Sequence, residues 1–146
     1  MERENVALML IKHEGVQRNL IGNIIKRIEN KGLKIIGMKM LKLSEKQVKE
    51  LYVNCLHLHY FSEMLDYNSE KPMVAIVVEG PNGNICANEV CGKVGVPGTV
   101  RGDFAMTNSR NVLHCSDSEK SIEEIKMFFS EEELFEYSKA GDEWMM

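Results

Sequence analysis

The residue of this 146-residue chain with the clearest chemical potential is a histidine at the end of a short apolar run. His114 follows Val112 and Leu113, a pattern typical of a strand. An imidazole has an unperturbed pKa of about 6.5, so at physiological pH it is largely neutral and can act as a nucleophile without a separate base. A lone histidine in a strand is more often a satisfied core residue. Position alone leaves both interpretations open.

Cysteines near histidines raise two other kinds of chemistry. Cys115 follows His114, but consecutive residues of a strand face opposite sides, so the two side chains cannot form a thiolate–imidazole pair. Cys55, His57 and His59 carry metal-ligating groups, and on a helix Cys55 and His59 would share a face. No fourth ligand is evident. The sequence therefore disfavours both a cysteine nucleophile and a metal site of this kind.

The elements that must position these residues begin with a β-α-β unit. Residues 5–11 are almost uniformly apolar, which predicts a strand buried on both faces. From Val16 apolar residues recur at helical spacing, and Gly32 predicts the end of that helix. Residues 33–43 return the chain to strand geometry. One face of this strand is expected to carry apolar side chains at Ile36, Met38 and Met40.

The second half repeats the pattern after a helical insert. Ser44 to Gln47 matches a capping box, which predicts a helix with Val48, Leu51 and Tyr52 on its inner side. Later elements are expected as a helical hairpin through Met64, a strand at 72–80, a helix at 82–91, an irregular stretch at 94–104, a strand at 112–114, a helix at 121–129 and a capping box at 130–133. This order predicts a ferredoxin-like α+β sandwich, βαβ-βαβ, with helices packed on one face of an antiparallel sheet.

Composition and charge limit the class of protein. The length suits a single domain, which we expect to span residues 1–146. The net charge of −4 argues against a surface that tracks DNA or RNA phosphates, because such a surface needs clustered Lys and Arg. No stretch approaches the ~20 apolar residues that span a bilayer, and no export leader is visible. The four cysteines form no C-x-x-C pair, which predicts reduced thiols in a cytoplasmic protein.

Motifs along the chain resemble those of one enzyme family. The segment RNVLHCSDS at residues 110–118 is similar to the active-site signature of nucleoside diphosphate kinases, which is Asn, two apolar residues, His, a small residue and Ser-Asp. Further similar stretches follow the family's order: IKHEGVQRNLIGNIIKRIENKG at 11–32, PGTVRGDF at 97–104, and EELFEY at 132–137 with a tryptophan near the C-terminus. The resemblance covers essentially the whole chain.

This resemblance implies a ping-pong phosphotransferase. His114 would take the γ-phosphoryl of ATP, release ADP and give the phosphoryl to a second nucleoside diphosphate. Lys12 and Arg101 would supply cations to the phosphates, and Asn111 would hydrogen-bond the sugar hydroxyls. Tyr60 falls where the family has an aromatic residue, usually Phe, that stacks on the base. Mg²⁺ would enter on the nucleotide phosphates and need no metal cage built by the protein.

The resemblance also implies supporting residues and an assembly. Tyr52 aligns with a family tyrosine near the catalytic histidine. Glu124 aligns with a glutamate that orients the imidazole by accepting its other N–H. The implied partners are ATP, nucleoside diphosphates and further copies of the chain, in a homo-oligomer that is a hexamer or smaller.

The chain departs from the family where the phosphates are held. Asn88 and Val94 stand at positions where family members carry an arginine and a threonine. The chain is also about four residues shorter than usual between Gly92 and Pro97, where connections tolerate length changes. Lys93 is a candidate replacement, acting as a point charge without the bidentate geometry of a guanidinium. His13 and Glu14 replace the commoner Pro and Asp beside Lys12.

These departures sustain two alternatives to a fully active kinase. One is a binding or assembly module of the same fold with weak kinase activity, and the other is a regulatory nucleotide-binding domain. A scaffold has no chemical need for the intact set of Lys12, Arg101, Asn111 and His114, so the sequence favours the enzyme.

Overall fold

Four strands form one antiparallel sheet in the computed structural model, which describes residues 1–144. They are β1 (Val6–Ile11), β2 (Lys34–Lys42), β3 (Pro72–Glu79) and β4 (Leu113–Cys115), in the spatial order β2-β3-β1-β4. All six residues of β1 are buried, as its unbroken apolar sequence predicts. The short strand β4 pairs with β1, with His114 opposite Leu10.

Within the described residues, seven α-helices surround the sheet. They are α1 (His13–Gln17), α2 (Ile21–Lys31), α3 (Glu45–Leu51), α4 (Phe61–Asn68), α5 (Gly83–Cys91), α6 (Val100–Phe104) and α7 (Ser121–Phe128). Short 3₁₀ turns lie at Val53–Cys55, Glu131–Glu133 and Asp142–Trp144. The ferredoxin-like α+β class is confirmed. No helix within the described 144 residues is long and apolar enough to cross a membrane.

The prediction that helices pack on one face of the sheet was wrong, because both faces are covered. Alternate residues of β1 enter two separate cores: Met9 packs with side chains of α2 and α5, whereas Leu8 packs with side chains of α3, α4 and α7. A strand buried on both faces needs this second layer of helices. The helical insert between β2 and β3 supplies part of it.

The predicted apolar face of β2 is interrupted by a β-bulge. The register against β3 shifts between Ile35 and Gly37, so Ile36 is the extra residue and is buried at 5% exposure. Met38 and Met40 lie beyond the bulge on an edge strand, with 54% and 61% of their surfaces exposed. The three side chains therefore do not share a buried face.

Two segments differ from the secondary structure that the sequence predicts. The helix predicted from Val16 is in fact two helices, because Asn19 adopts a left-handed φ of +58° between α1 and α2. The stretch 94–104 ends in helix α6, whose N-cap Thr99 accepts a hydrogen bond from Gly102 N–H. Both predicted capping boxes, at Ser44 and Ser130, are confirmed by their reciprocal hydrogen bonds.

Candidate active site

His114 is held by the sheet and by one carboxylate. Its strand places it opposite Leu10 of β1, and the residue is 9% exposed. The Nε2 atom lies 2.6 Å from Glu124 Oε1 in the first turn of α7. Because a carboxylate only accepts hydrogen bonds, Nε2 carries the ring proton in this arrangement. In a neutral ring Nδ1 then keeps its lone pair.

Cys115 lies on the opposite side of the sheet from His114. Its side chain belongs to the core formed with α2 and α5, and burial raises the pKa of its thiol well above the usual range. A neutral, buried thiol on the other face cannot activate or replace the imidazole. The prediction that the two residues do not form a catalytic pair is confirmed.

Lys12 is buried immediately after β1. Only 2% of the residue is exposed, and its ammonium group lies 5.1 Å from the centroid of the Tyr52 ring. Burial and, to a smaller extent, the neighbouring charge of Arg101 lower the pKa of Lys12 to about 8, although Glu14 partly opposes both effects. An ammonium group without an ion pair within residues 1–144 is ready to receive an anion.

Tyr52 is a neighbour of both Lys12 and His114. Its ring meets the His114 imidazole edge-on, with 5.5 Å between the centroids, and only 9% of the residue is exposed. Burial also raises the pKa of the Tyr52 phenol, so the hydroxyl keeps its proton. This hydroxyl is buried without a hydrogen-bond partner in the described part of the chain. Such an unpaired group is costly unless a ligand satisfies it.

Arg101 and Asn111 reach the same region from different elements. Arg101, in α6, donates from Nε to the Leu113 carbonyl at 3.0 Å, which ties its guanidinium to the strand that carries His114. Asn111 lies two residues before that strand, and its side-chain oxygen is buried with no partner among residues 1–144. The site thus offers cations together with two unsatisfied polar atoms.

A strained backbone turn joins Asn111 to β4. Val112 has a φ of +75°, which costs a β-branched residue on the order of 1–3 kcal/mol. Its N–H donates to Glu14 Oε1 at 2.7 Å. Sequence reasoning noted Glu14 only as a replacement for Asp and missed this contact. No local pattern could reveal it, since the two residues are 98 positions apart.

Tyr60 stands apart from this cluster, at a neighbouring cleft. The cleft has a volume of about 910 Å³ and lies between α4 and the loop at 107–109, with His59, Glu63 and Asp66 also in its lining. The Tyr60 ring is partly buried and meets His59 edge-on at 5.1 Å. A flat aromatic group beside an open cleft can stack on a planar ligand.

The positions that depart from the family differ in what their side chains contact. Asn88 donates to Asn84 and to the Ser116 carbonyl at 3.1 Å, so its amide serves the interior. Val94 packs against the core, and Lys93 is exposed. Among the residues with metal-ligating side chains, Cys55 lies in a 3₁₀ turn. Within residues 1–144, no three His, Cys, Asp or Glu side chains form a metal-binding group.

Comparison with known proteins decides the family. The sequence model described as nucleoside diphosphate kinase matches residues 5–134. A nucleoside diphosphate kinase of Ignicoccus hospitalis is 45% identical over 141 residues, which cover 93% of this chain and 94% of that protein. The chain belongs to the nucleoside diphosphate kinase family. As an enzyme of this family it transfers the γ-phosphate of ATP to nucleoside diphosphates.

Solved nucleoside diphosphate kinases share the fold. A halophilic enzyme from Halobacterium salinarum, in complex with CDP, has a TM-score of 0.90 at 30% identity, covering 98% of this chain and 99% of that one. A transition state mimic of the Borrelia burgdorferi enzyme, with bound vanadate and ADP, has a TM-score of 0.84 at 29% identity and covers 94% of both chains. The binding-module and regulatory-domain alternatives are therefore not favoured.

Proposed function

We propose that His114 carries the phosphoryl group between the two nucleotides. The observation that carries this proposal is the 2.6 Å contact between His114 Nε2 and Glu124, which commits the ring proton to Nε2 and leaves Nδ1 as the nucleophilic atom. Within residues 1–144, Nδ1 has no hydrogen-bond partner of its own. The imidazole therefore needs no additional base.

Each half of the reaction is a displacement at phosphorus. In the first, Nδ1 forms a bond to the γ-phosphorus as the bond to the ADP oxygen breaks, and ADP leaves with that electron pair. The ring becomes positively charged, and the Glu124 carboxylate stabilises it through Nε2–H. In the second, an oxygen of another nucleoside diphosphate displaces Nδ1, which restores the neutral ring.

The surrounding side chains hold the nucleotide in this proposal. Lys12 and Arg101 neutralise phosphate charge, since both are tied to the segments that flank His114. The unpartnered side-chain oxygen of Asn111 accepts a hydrogen bond from a sugar hydroxyl. The unpartnered Tyr52 hydroxyl donates to a phosphate oxygen. Tyr60 stacks on the base at the cleft beside α4.

Magnesium fits this site as a companion of the nucleotide. No group of three acidic, cysteine or histidine side chains within residues 1–144 offers a cage. Mg²⁺ would be held through the nucleotide phosphates and water, as this ion usually is. When bound, the ion neutralises phosphate charge and favours displacement at the γ-phosphorus. Lys12 and Arg101 then supply the remaining positive charge from the protein side.

The wider setting is proposed on the same basis. A single domain over residues 1–146 carries the whole site, and copies of it assemble into a homo-oligomer, a hexamer or smaller, as the resemblance implies. All four cysteines are free thiols, which supports a reducing compartment, the cytoplasm. Sedimentation equilibrium should give a mass that is a multiple of 16.7 kDa, and a monomer at micromolar concentration would contradict the assembly.

The histidine mechanism is tested by labelling with γ-labelled ATP. The wild-type chain should become phosphorylated, and the label should be lost in acid, as a phosphohistidine requires. His114→Ala should not be labelled, and its turnover should fall by more than about a thousandfold, because the covalent relay is gone. His57→Ala, which removes an exposed histidine outside the site, is the matched control and should behave as wild type. Labelling of His114→Ala would sink the mechanism.

A further inference from the structure

A γ-turn centred on Val112 leads into the strand that carries His114. The Leu113 N–H donates to the Asn111 carbonyl at 2.9 Å, and Val112 between them has a φ of +75°. A three-residue turn with this φ is rare and strained, and the branched side chain of valine adds to the strain. The turn therefore needs support from outside its own residues.

The segment that follows β1 supplies this support at two points. The Lys12 backbone N–H donates to the Val112 carbonyl at 2.8 Å, and the Val112 N–H donates to Glu14 Oε1 at 2.7 Å. Gly15 allows the two segments to approach, because a Cβ there would lie 2.8 Å from Ile11 Cγ2 and 3.3 Å from Val112 Cγ1. Both backbone polar groups of Val112 are therefore bound by residues 12–14.

Burial of the Glu14 carboxylate costs free energy, and contacts within its own helix α1 do not offset that cost. The residue is only 6% exposed, and a carboxylate withdrawn from water must find hydrogen bonds or cations. Its hydrogen bond goes to a backbone 98 positions away and not to α1. We propose that Glu14 is a positioning residue that holds the γ-turn at Val112 and thereby fixes the position of Asn111, the first residue of that turn.

This inference rests on the proposed role of Asn111 in nucleotide binding, and it predicts which kinetic constant Glu14 controls. Asn111 is the first residue of the turn, so loss of the turn moves its side-chain oxygen away from the site. His114 is held separately, by the pairing of β4 with β1 and by Glu124. Loss of Glu14 should weaken nucleotide binding far more than it slows phosphoryl transfer.

The experiment compares two variants that differ in one respect. Glu14→Ala removes the acceptor, and we expect the dissociation constant for ADP to rise at least about fivefold while kcat stays within about twofold of wild type. Glu14→Gln keeps an oxygen acceptor of the same reach, so it should bind ADP within about twofold of wild type. Hydrogen exchange should show the Val112 amide protected in wild type and Glu14→Gln but not in Glu14→Ala.

A control separates positioning from general loss of stability. Asn68→Ala removes another buried polar side chain, which bonds the Met64 carbonyl in α4, and should leave the affinity for ADP unchanged. Glu14→Ala that binds ADP as wild type does, or Glu14→Gln that binds as weakly as Glu14→Ala, overturns the inference. Labelling of His114→Ala is measured in parallel: its appearance would remove the proposed mechanism, whereas the Val112 amide and the ADP affinity test Glu14 alone.

Discussion

The buried lysine Lys12 favours phosphate binding but lowers the stability of the folded chain. Lys12 is 2% exposed, and its pKa falls from 10.5 to about 8 mainly because burial disfavours the ammonium form. Below pH 8 the residue is charged in both the folded and the unfolded chain, so the folded state bears the full cost of desolvation. A bound phosphate offsets that cost by giving the ammonium group a partner.

Lys12→Met should therefore make a more stable but inactive protein. At pH 7 we expect its free energy of unfolding without nucleotide to exceed that of wild type by on the order of 3–4 kcal/mol, the equivalent of the shift from 10.5 to about 8. The unfolded wild-type chain binds more protons between these two values, so wild-type stability gains on the variant as pH rises through that window. Urea unfolding at pH 7 and pH 10 measures both effects.

A control variant and an activity measurement accompany this prediction. Lys26→Met, at an exposed position of α2, should change stability by less than about 0.5 kcal/mol at either pH. In phosphotransfer, Lys12→Met should lower kcat/KM at least about a hundredfold, because a charge-assisted contact to phosphate is lost from a buried site. A Lys12→Met protein no more stable than wild type at pH 7 would show that the lysine is better solvated than its burial indicates.

At the scale of elements, the shortened loop after Gly92 packs very closely against helix α6, which carries Arg101. Asp103 accepts hydrogen bonds from Gly98 N–H and from Arg27, and these contacts hold the pKa of its carboxyl below the usual value. Gly102 leaves no room for a side chain, since a Cβ there would lie 1.7 Å from the Val96 carbonyl oxygen. The shortened loop is thus a tight, specific structure that sets where the guanidinium of Arg101 stands.

Gly102→Ala should disturb both the loop and the reaction. The backbone must move to relieve the overlap, at a cost of about 1–3 kcal/mol in unfolding free energy, and Arg101 moves with it. We expect kcat/KM to fall about tenfold, the loss of roughly one charge-assisted contact. Gly22→Ala, in α2, is the matched control. A Cβ added at Gly22 would meet nothing within 4 Å, so this change should stabilise the protein by about 0.5–1 kcal/mol. Equal effects of the two changes would refute the packing argument.

Periodicity and capping patterns predicted the regular elements, and long-range contacts decided the rest. The apolar run of β1 and the capping box at Ser44 are local signals, and both gave the observed structure. The bulge at Ile36 depends on how β2 pairs with the distant strand β3, so a local pattern could not show it. The same holds within the site, where the motif identified His114 but could not show that Glu14 supports Val112.

For the molecule as a whole, the arrangement of cleft and cations predicts a broad range of nucleotides. Stacking on Tyr60 does not depend on the identity of the base. Glu63, an acidic residue that lines the cleft, already forms an ion pair with Arg110 at 3.1 Å. Purine and pyrimidine diphosphates should be accepted within about two orders of magnitude in kcat/KM, well below the ~10⁴–10⁵ that hydrogen-bond readout achieves. Diphosphates that lack the sugar hydroxyls should lose more.

Steady-state kinetics with a panel of diphosphates at fixed ATP provide the measurement. Parallel double-reciprocal lines are expected throughout, because the phosphorylated enzyme is the common intermediate. Selection of one base by more than about a thousandfold would mean that a polar side chain of the cleft, such as Asp66 or Asn108, reads the base edge.

The pairing of β4 with β1 has a consequence for how the chain folds during its synthesis. Leu10 and His114 are neighbours in the sheet, yet about a hundred residues separate them along the chain. Contacts of such long range form late, because closing a large loop costs entropy that local contacts do not. During synthesis β1 leaves the ribosome long before β4 has been made. The edge of β1 that pairs with β4 therefore stays unpaired until then. Phosphotransfer thus becomes possible only at the close of folding, when the final quarter of the polypeptide has been made.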